Sequence, residues 1–188
     1  MSFNIFCKSV ILKLIKRYLC DIFVLRLYLS ARKRSLTMIK PWNDYFMEIA
    51  KTCASRSNCL RASVGAVIVG DDKKIKATGY NGTPSKVISC HELGFCYRIK
   101  NNIESGTRYE TCRAIHAEQN AIIQAGQDRC KGASMYIYGH TIICILCKRF
   151  IVQSGIVDVY LQKETGTPVI HVSVEEIKRE LSDTAISV

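Results

Sequence analysis

The chain has 188 residues, which is enough for one ordinary globular domain. Hydrophobic residues make up 48% of it and charged residues 23%, which is typical of a packed domain and excludes a disordered chain. The formal net charge is +11, but seven of these net charges fall within residues 1–37, which leaves +4 for the rest of the chain. A charge that small suits an anionic small molecule as well as a polymer, and it does not establish a basic patch. We therefore do not expect nucleic acid binding.

The ten cysteines favour metal binding over disulfide bonds. No clean secretory signal is visible, and several cysteines stand beside His or Glu at spacings typical of metal ligands. Disulfides persist mainly in oxidising compartments, so metal binding is the better interpretation of such a chain. We therefore expect a reducing, cytoplasmic location.

Residues 1–37 form a basic, hydrophobic N-terminal extension that differs from everything after it. No charge-free run in it approaches the roughly 20 residues that a membrane span needs. A signal peptide or a basic helix on a membrane surface remains an alternative. Because Met38 precedes a segment that starts a domain well, we predict a domain over residues 38–188 and a dispensable extension before it. Membrane association is expected only if the extension is a genuine anchor.

The first predicted element is a helix after Pro41, with its buried face defined by helical spacing. That face contains Tyr45, Phe46, Ile49, Ala50 and Cys53.

The following elements alternate between strands and helices. We predict a hairpin over residues 63–80, a long loop over 81–112, a helix over 113–126, a strand over 133–139, a helix over 144–155, a strand over 156–161 and a helix over 173–181. The last helix opens with Ser173 and Glu176 at the spacing of a capping box. This alternation predicts a layered α/β domain.

Three residues have the spacing of a catalytic zinc site. Cys144 and Cys147 are three apart at the start of a predicted helix, so both sulfurs face the same way, and the helix N-terminus favours thiolates. His116, which begins an earlier helix, supplies a third ligand. Three protein ligands leave one position of a tetrahedral zinc open for water, whose pKa the metal lowers toward neutrality.

Glu118, two residues after His116, is placed to move protons between that water, a substrate ring nitrogen and a leaving ammonia. His-x-Glu followed by Cys-x-x-Cys is the known signature of zinc deaminases. Either half of this signature alone is weak evidence for a deaminase, since Cys-x-x-Cys is also found in redox proteins and in structural zinc sites. A structural zinc would need four protein ligands and would leave Glu118 without a role, so the combination favours an enzyme.

With these residues, the chain from about Trp42 to Leu161 resembles the cytidine and deoxycytidylate deaminase superfamily, and within it the deoxycytidylate (dCMP) deaminases. The sequence HAEQNAII is similar to the family's His-Ala-Glu-x-Asn helix, SVGAVIV to its first strand and ATGYNGTP to its Gly-Tyr-Asn-Gly turn. The cysteine-rich insertion between Gly82 and Ile115 is the main reason to favour a nucleotide substrate over tRNA.

The resemblance implies a three-layer cytidine-deaminase-like fold, with a five-stranded mixed sheet flanked by helices. It implies conversion of dCMP to dUMP with release of ammonia, which feeds thymidylate synthesis. It also implies a homo-oligomer, often a hexamer, with dCTP as an activator and dTTP as an inhibitor in some members.

The resemblance also assigns roles to single residues. Zn²⁺ is bound by His116, Cys144 and Cys147, and Glu118 shuttles protons. Asn81 hydrogen-bonds the sugar or base, Arg61 binds the substrate phosphate, and Tyr160 lies against the nucleotide. The plainer alternatives are a solvated surface charge for Arg61 and a core aromatic for Tyr160.

One position departs from the family pattern: Ile143 stands where proline usually precedes the first zinc cysteine. Proline would fix φ at the helix entry, so we expect its loss to affect activity more than zinc binding.

A second, structural zinc is implied by cysteines at corresponding places in bacterial and phage members. The predicted ligands are Cys59, Cys90, Cys96 and Cys112, with His91 as the alternative to Cys96. Such a zinc would order the long loop, whereas free cysteines in its place would behave as small buried hydrophobes.

Three rival hypotheses remain at this point. The first is a deaminase that acts on tRNA, on single-stranded nucleic acid or on another cytosine nucleotide. The second is a non-catalytic scaffold stabilised by zinc, in which Ile143 marks a decayed active site. The third is a membrane-associated protein, which depends on residues 1–37 alone.

Overall fold

The computed structural model describes residues 39–184. The predicted extension over residues 1–37 lies outside the described residues, so its role and the domain boundary at Met38 stay predictions. Within the described range, no helix has the length and apolar character that crossing a membrane requires.

The described residues contain one mixed β-sheet of five strands, which confirms the sheet that the resemblance implied. The strands are β1 (Gly65–Val69), β2 (Ile75–Tyr80), β3 (Ser134–Tyr138), β4 (Asp158–Gln162) and β5 (Ile170–Ser173). Their order is β2-β1-β3-β4-β5, with β3 and β4 parallel and all other neighbours antiparallel. The sequence pattern indicated the first four strands but not β5, a four-residue edge strand without a buried face.

Helices cover both faces of this sheet, and the four longest of them lie where the sequence predicted helices. They are α1 (Trp42–Ala54), α2 (Cys90–Leu93), α3 (Tyr97–Lys100), α4 (Ala117–Ala125), α5 (Gln127–Cys130), α6 (Ile145–Ser154) and α7 (Val174–Thr184), with a 3-10 turn at Tyr109–Thr111. At the start of α7, Ser173 Oγ accepts a hydrogen bond from the Glu176 N–H at 3.3 Å, as the capping pattern predicted.

The sheet separates two hydrophobic clusters because side chains alternate across each strand. Met135 and Ile137 of β3 face the larger cluster, which is built with α4, α6 and α7. Tyr136, between them, faces the smaller cluster, which is built with α1. All five residues of β1 are buried, since this strand is covered on both faces. The result is the predicted layering of helix, sheet and helix.

The buried face of α1 differs from the prediction. Phe46, Met47 and Ala50 are buried against the sheet, whereas Tyr45 is 43% exposed. A Cβ on Gly65 would lie only 2.0 Å from the Ala50 carbonyl oxygen, so α1 and β1 touch through their backbones. That close approach requires small residues on the contact face of α1, and it turns Tyr45 toward solvent.

A second backbone contact positions α4 on the other face of the sheet. A Cβ on Gly79 of β2 would lie 2.3 Å from the Ala117 carbonyl oxygen and 2.6 Å from the Ala121 nitrogen. Only glycine permits this approach. It places the first turn of α4, and with it His116 and Glu118, directly over the end of β2.

The two ends of the predicted long loop are paired with each other. Gly82 and Ile115 form an isolated antiparallel bridge, with N–H···O distances of 3.1 and 2.8 Å in the two directions. Between them, the chain contains two single-turn helices and a 3-10 turn, which the sequence did not indicate because no period of apolar residues marks them. We call residues 82–115 the insertion.

Candidate metal centre and active site

Two helix N-termini bring the three predicted zinc ligands together. His116 is the N-cap residue of α4, Cys144 is the N-cap residue of α6, and Cys147 lies in the first turn of α6. The His116 Nδ1 atom lies 3.3 Å from Cys144 Sγ and 3.4 Å from Cys147 Sγ. All three donor atoms lie within 4.8 Å of one another.

These distances suit a tetrahedral zinc ion. With a zinc–nitrogen bond of about 2.0 Å and zinc–sulfur bonds of about 2.3 Å, the nitrogen and each sulfur would be roughly 3.5 Å apart. The observed separations of 3.3 and 3.4 Å are within a few tenths of an ångström of that value. One imidazole and two thiols could therefore hold Zn²⁺ with a fourth position open, as in a catalytic zinc site.

The electrostatics of the cluster favour a thiolate at Cys144. A hydrogen bond from Cys147, followed by one from His116, lowers the pKa of the Cys144 thiol to about 4, although burial acts in the opposite direction. The Cys147 backbone N–H also donates to Cys144 Sγ at 3.4 Å. A thiolate is the form that binds metal, so Cys144 is prepared for a cation, whereas its hydrogen bond with Cys147, together with burial, raises the pKa of the Cys147 thiol.

Glu118 lies beside the cluster and is 1% exposed. Its carboxylate interacts with the Cys147 side chain, and its Oε1 atom lies 3.6 Å from His140 Nε2. Burial acts to raise the pKa of Glu118, but the interactions with His140 and His116 prevail and lower it. The carboxylate is therefore held in its ionised form, which can accept a proton.

Three further residues lie around the cluster that no sequence pattern indicated: Tyr109, Arg98 and His140. The ring of Tyr109 meets the His116 imidazole edge-on, with centroids 5.1 Å apart. The Arg98 guanidinium lies over the Tyr109 ring at 5.1 Å and is 5% exposed. It donates to the carbonyl oxygens of Glu104 and Thr107, so the insertion is closed around a buried cation.

Arg61 and Asn81, both predicted to contact substrate, make contacts with the main chain. Arg61 Nη1 donates to the Ile103 carbonyl oxygen at 3.0 Å and so joins the insertion to the segment before β1. The Asn81 side chain accepts from the Val64 N–H and donates to the Ala62 carbonyl oxygen, both at 2.8 Å. Their roles toward substrate stay predictions, because these contacts show what holds the two side chains and not what they bind.

Tyr160, the third residue predicted to contact the nucleotide, is not brought together with the metal cluster. Its ring stacks between Tyr136 and His171, with centroid distances of 4.7 and 4.8 Å. This stack packs against the smaller hydrophobic cluster, whereas Cys147 belongs to the larger one. Tyr160 and Cys147 thus face opposite sides of the sheet, and a nucleotide contact for Tyr160 stays a prediction.

The four insertion-associated cysteines converge without forming a tight cluster. The Cys90 thiol interacts electrostatically with Cys96, Cys59 and Cys112, and burial together with these neighbours raises its pKa. Cys90 and Cys96 are buried, whereas His91 is exposed, which favours Cys96 over His91 as the fourth member. Among the described residues, the group of donors that meets metal-binding distances is His116, Cys144 and Cys147. All eight cysteines of the described part are free thiols.

Ile143, at the usual proline position, is 6% exposed and belongs to the larger hydrophobic cluster. Its side chain therefore anchors the entry to α6 by packing, where proline would act through its fixed φ. The adjacent Cys144 keeps N-cap geometry, with φ −70° and ψ 156°.

A mixed sheet covered by helices, with a His/Cys/Cys cluster at two helix N-termini and a buried glutamate beside it, is the arrangement typical of a deaminase-type zinc site. Comparison with known proteins agrees. Residues 40–163 match the family model described as the cytidine and deoxycytidylate deaminase zinc-binding region. The chain belongs to this family.

Several relatives are deoxycytidylate deaminases by name. The protein of Schizosaccharomyces pombe is 38% identical over 141 residues, which cover 72% of this chain and 43% of the relative. That of Saccharomyces cerevisiae is 41% identical over 128 residues, covering 68% and 39%. The chain thus spans about two fifths of the length of these two curated relatives. The protein of Mycobacterium phage D29 is 34% identical over 128 residues, covering 66% of this chain and 96% of the relative.

A solved structure supports the same fold. The apo dCMP deaminase of cyanophage S-TIM5 superposes with a TM-score of 0.50 and 26% sequence identity, covering 77% of this chain and 94% of that one.

Proposed function

We propose that this protein catalyses the hydrolytic deamination of dCMP to dUMP, with release of ammonia. The observation that carries the proposal is the cluster of His116, Cys144 and Cys147 with the buried carboxylate of Glu118 beside it. The names of the relatives supply the choice of dCMP among cytosine compounds. The products would supply the precursor of thymidylate.

In this proposal, His116, Cys144 and Cys147 bind Zn²⁺. When bound, the metal lowers the pKa of a water molecule so that hydroxide is available near neutral pH. Glu118 accepts a proton from water and delivers it to the ring nitrogen, and it then accepts a second proton, from the hydroxyl added to the ring carbon, and delivers it to the departing amine. Water and dCMP are consumed and ammonia and dUMP are formed, so the reaction needs neither oxidant nor reductant.

Glu118 is well suited to this role because its surroundings hold it ionised and out of bulk water. A base of lowered pKa in a dry site transfers protons to a fixed position rather than to solvent. The non-catalytic scaffold hypothesis offers no reason to bury an ionised carboxylate at this place, since taking a charge out of water is costly even beside neighbours that offset it.

The phosphate of dCMP needs a cationic partner, and we propose Arg61 for this role. Its guanidinium uses Nη1 on the Ile103 carbonyl oxygen. The remaining donors of the fork suit a phosphate, which Arg binds in paired hydrogen bonds. Asn81, next to the same segment, is proposed to orient the sugar or base.

We also propose a second, structural zinc held by Cys59, Cys90, Cys96 and Cys112. The convergence of three cysteines around the buried Cys90 thiol supports this assignment. Binding would draw the four sulfurs to within about 4 Å of one another, as zinc–sulfur bonds of about 2.3 Å require.

The family resemblance further supports a homo-oligomer, with a hexamer as one expected form, and regulation by dCTP and dTTP. The free thiols of the described part support a reducing, cytoplasmic location.

The test is ammonia release by the purified, zinc-analysed protein from dCMP, dCTP, deoxycytidine and tRNA. We expect turnover of dCMP to exceed that of deoxycytidine by at least roughly 30-fold, the value of one lost charge-assisted phosphate contact. Turnover of tRNA with no activity on any mononucleotide would replace dCMP by nucleic acid as the substrate. No activity on any of the four, with zinc bound, would favour the scaffold.

A further inference from the structure

One histidine near the site is not part of the metal cluster. His140 follows β3, and its Nε2 atom lies 3.6 Å from Glu118 Oε1. The Glu118 side chain is 2% exposed and that of His140 is 30% exposed. His140 therefore reaches a buried carboxylate while part of its ring stays accessible to solvent.

The hydrogen bonding of His140 is unusual for a histidine with a structural role. In the described part of the chain, its Nδ1 atom is buried and has no hydrogen-bond partner. Most buried polar atoms of folded proteins have one, and a histidine that only stabilises a fold is commonly fixed through both ring nitrogens. The other ring nitrogen, Nε2, faces the Glu118 carboxylate.

The backbone before His140 leaves little freedom in the direction of its side chain. Gly139 has φ 115°, and a Cβ there would lie 2.3 Å from the Ser63 carbonyl oxygen. The Gly139 N–H also donates to the Gln162 carbonyl oxygen at 2.8 Å. The turn after β3 is thus fixed by contacts on two sides, and the same short segment leads on to Cys144.

The Glu118 carboxylate has neighbours of two kinds. It interacts with Cys147, a member of the metal cluster, and with His140, which is not. A glutamate that serves two proton transfers must keep one orientation in both, and a misplacement of about 1 Å can cost on the order of 100-fold in rate. A partner outside the cluster can provide that orientation without competing for the metal.

We propose that His140 is a positioning residue for Glu118. Its Nε2 atom, 3.6 Å from Oε1, restricts the rotamers of the Glu118 side chain and leaves the second carboxylate oxygen for proton transfer. This role rests on the deaminase function proposed above, and it assigns to His140 no contact with the substrate or the metal.

The kinetic test uses the full-length, zinc-loaded protein and its His140→Ala, His140→Gln and His140→Phe variants. We expect His140→Ala to lower kcat for dCMP by roughly 10- to 100-fold, the usual effect of losing an orienting partner, with KM changed less than about threefold. His140→Gln, whose amide can donate from a similar position, should recover most of the loss, and His140→Phe should not. Added imidazole should partly rescue His140→Ala, because the site of the ring is accessible.

His171→Ala is the matched control. His171 also pairs with a carboxylate, Asp158, at 2.7 Å, but it stacks on Tyr160 on the other side of the sheet from Cys147. We expect its kcat and KM to equal those of the parent. Equal kcat in His140→Ala and His171→Ala, or equal losses in the Gln and Phe variants, would overturn the proposal.

A second measurement does not depend on turnover. Long-range ¹H–¹⁵N spectra of the histidine rings should show His140 as the Nε2–H tautomer in the parent, and a changed tautomer population in Glu118→Ala. A His140 signal that is insensitive to Glu118 would reject the positioning role whatever the substrate is. If the spectra agree but no cytosine compound is deaminated, the contact stands and the proposed function fails.

Discussion

The metal cluster and the insertion are held in place by different means, although they lie side by side. The ligands of the cluster sit at the ends of α4 and α6, whose apolar faces pack into the larger hydrophobic cluster. The insertion contains only helices of a single turn, and its contacts include hydrogen bonds from Arg61 and Arg98 to backbone carbonyl oxygens. Apolar packing of helices thus holds the metal cluster in place, whereas polar contacts hold the insertion.

This difference predicts that the metal cluster and the insertion can each be disrupted without disrupting the other. A hydrophobic core with helices on it unfolds as one unit, whereas a loop held by a few polar contacts opens at lower free energy. Damage to the cluster should remove activity and leave the fold, and damage to the insertion should lower stability or substrate affinity and leave the catalytic zinc.

The largest effect is expected from Glu118→Gln, which changes the chemistry alone. The amide cannot accept the proton, so kcat for dCMP should fall by at least about 1000-fold, toward the upper range for loss of an acid–base group. Zinc content should be unchanged, because His116, Cys144 and Cys147 remain. Stopped ammonia-release assays and metal analysis by plasma mass spectrometry measure both quantities. Activity within tenfold of the parent, or loss of zinc, would contradict the role of Glu118.

The next largest effect is expected from Cys112→Ser, which acts on the insertion alone. If four cysteines hold a second zinc, the variant should bind one zinc where the parent binds two, since metal binding free energy is part of folding free energy. We expect a decrease in Tm on the order of 10 °C. Calorimetry with metal analysis checks this, with Cys53→Ser, a half-buried cysteine of α1, as the control. One zinc per parent chain and an unchanged Tm would leave the four as free thiols.

Arg61→Ala removes the contact between the insertion and the segment before β1. Loss of a charge-assisted phosphate contact should cost about 2–4 kcal/mol of transition-state binding, or roughly 30- to 1000-fold in kcat/KM for dCMP. Turnover of deoxycytidine should barely change, because it has no phosphate. Steady-state kinetics on both substrates decide the matter. Equal losses would show that Arg61 acts through the Ile103 carbonyl oxygen, as support for the insertion.

The smallest of these effects is expected from Gly79→Ala, which pushes α4 away from β2. The added Cβ would meet the Ala117 carbonyl oxygen at 2.3 Å, so the helix must shift at a cost of about 1–3 kcal/mol. Chemical denaturation measures the loss. Because His116 moves with α4, the zinc affinity should fall as well, as measured by competition with a chelator. An unchanged unfolding free energy would mean that α4 is not seated on this backbone contact.

The sequence predicted the regions that follow a regular period and missed those that do not. Apolar periodicity and capping residues predicted the four strands β1 to β4 and the helices α1, α4, α6 and α7. The ligand cluster followed from spacing, since each ligand lies at a helix start. Burial of Tyr45 was predicted wrongly, because side-chain periodicity does not reveal that α1 meets Gly65 through its backbone.

The unforeseen part of the site depends on tertiary contacts between distant positions. His140 lies 22 residues beyond Glu118 in the chain, and no short motif links the two. Arg98 lies over the ring of Tyr109, and Arg108, directly before that tyrosine, adopts φ 47° and ψ 51°, a left-handed conformation that a residue with a Cβ seldom takes. Such a backbone state is stabilised by its surroundings and leaves no trace in the identity of the residue.

The bridge between Gly82 and Ile115 has a consequence for how this scaffold can change. Because the two ends of the insertion are paired, its length is uncoupled from the position of the helix that follows. The entropy of closing a loop grows only by about 0.6 kcal/mol for each doubling of its length. Segments of very different size could therefore be exchanged between these two anchor points by evolution or by engineering, while the metal cluster keeps its place. The insertion can vary without displacing His116 or the helix that begins after it.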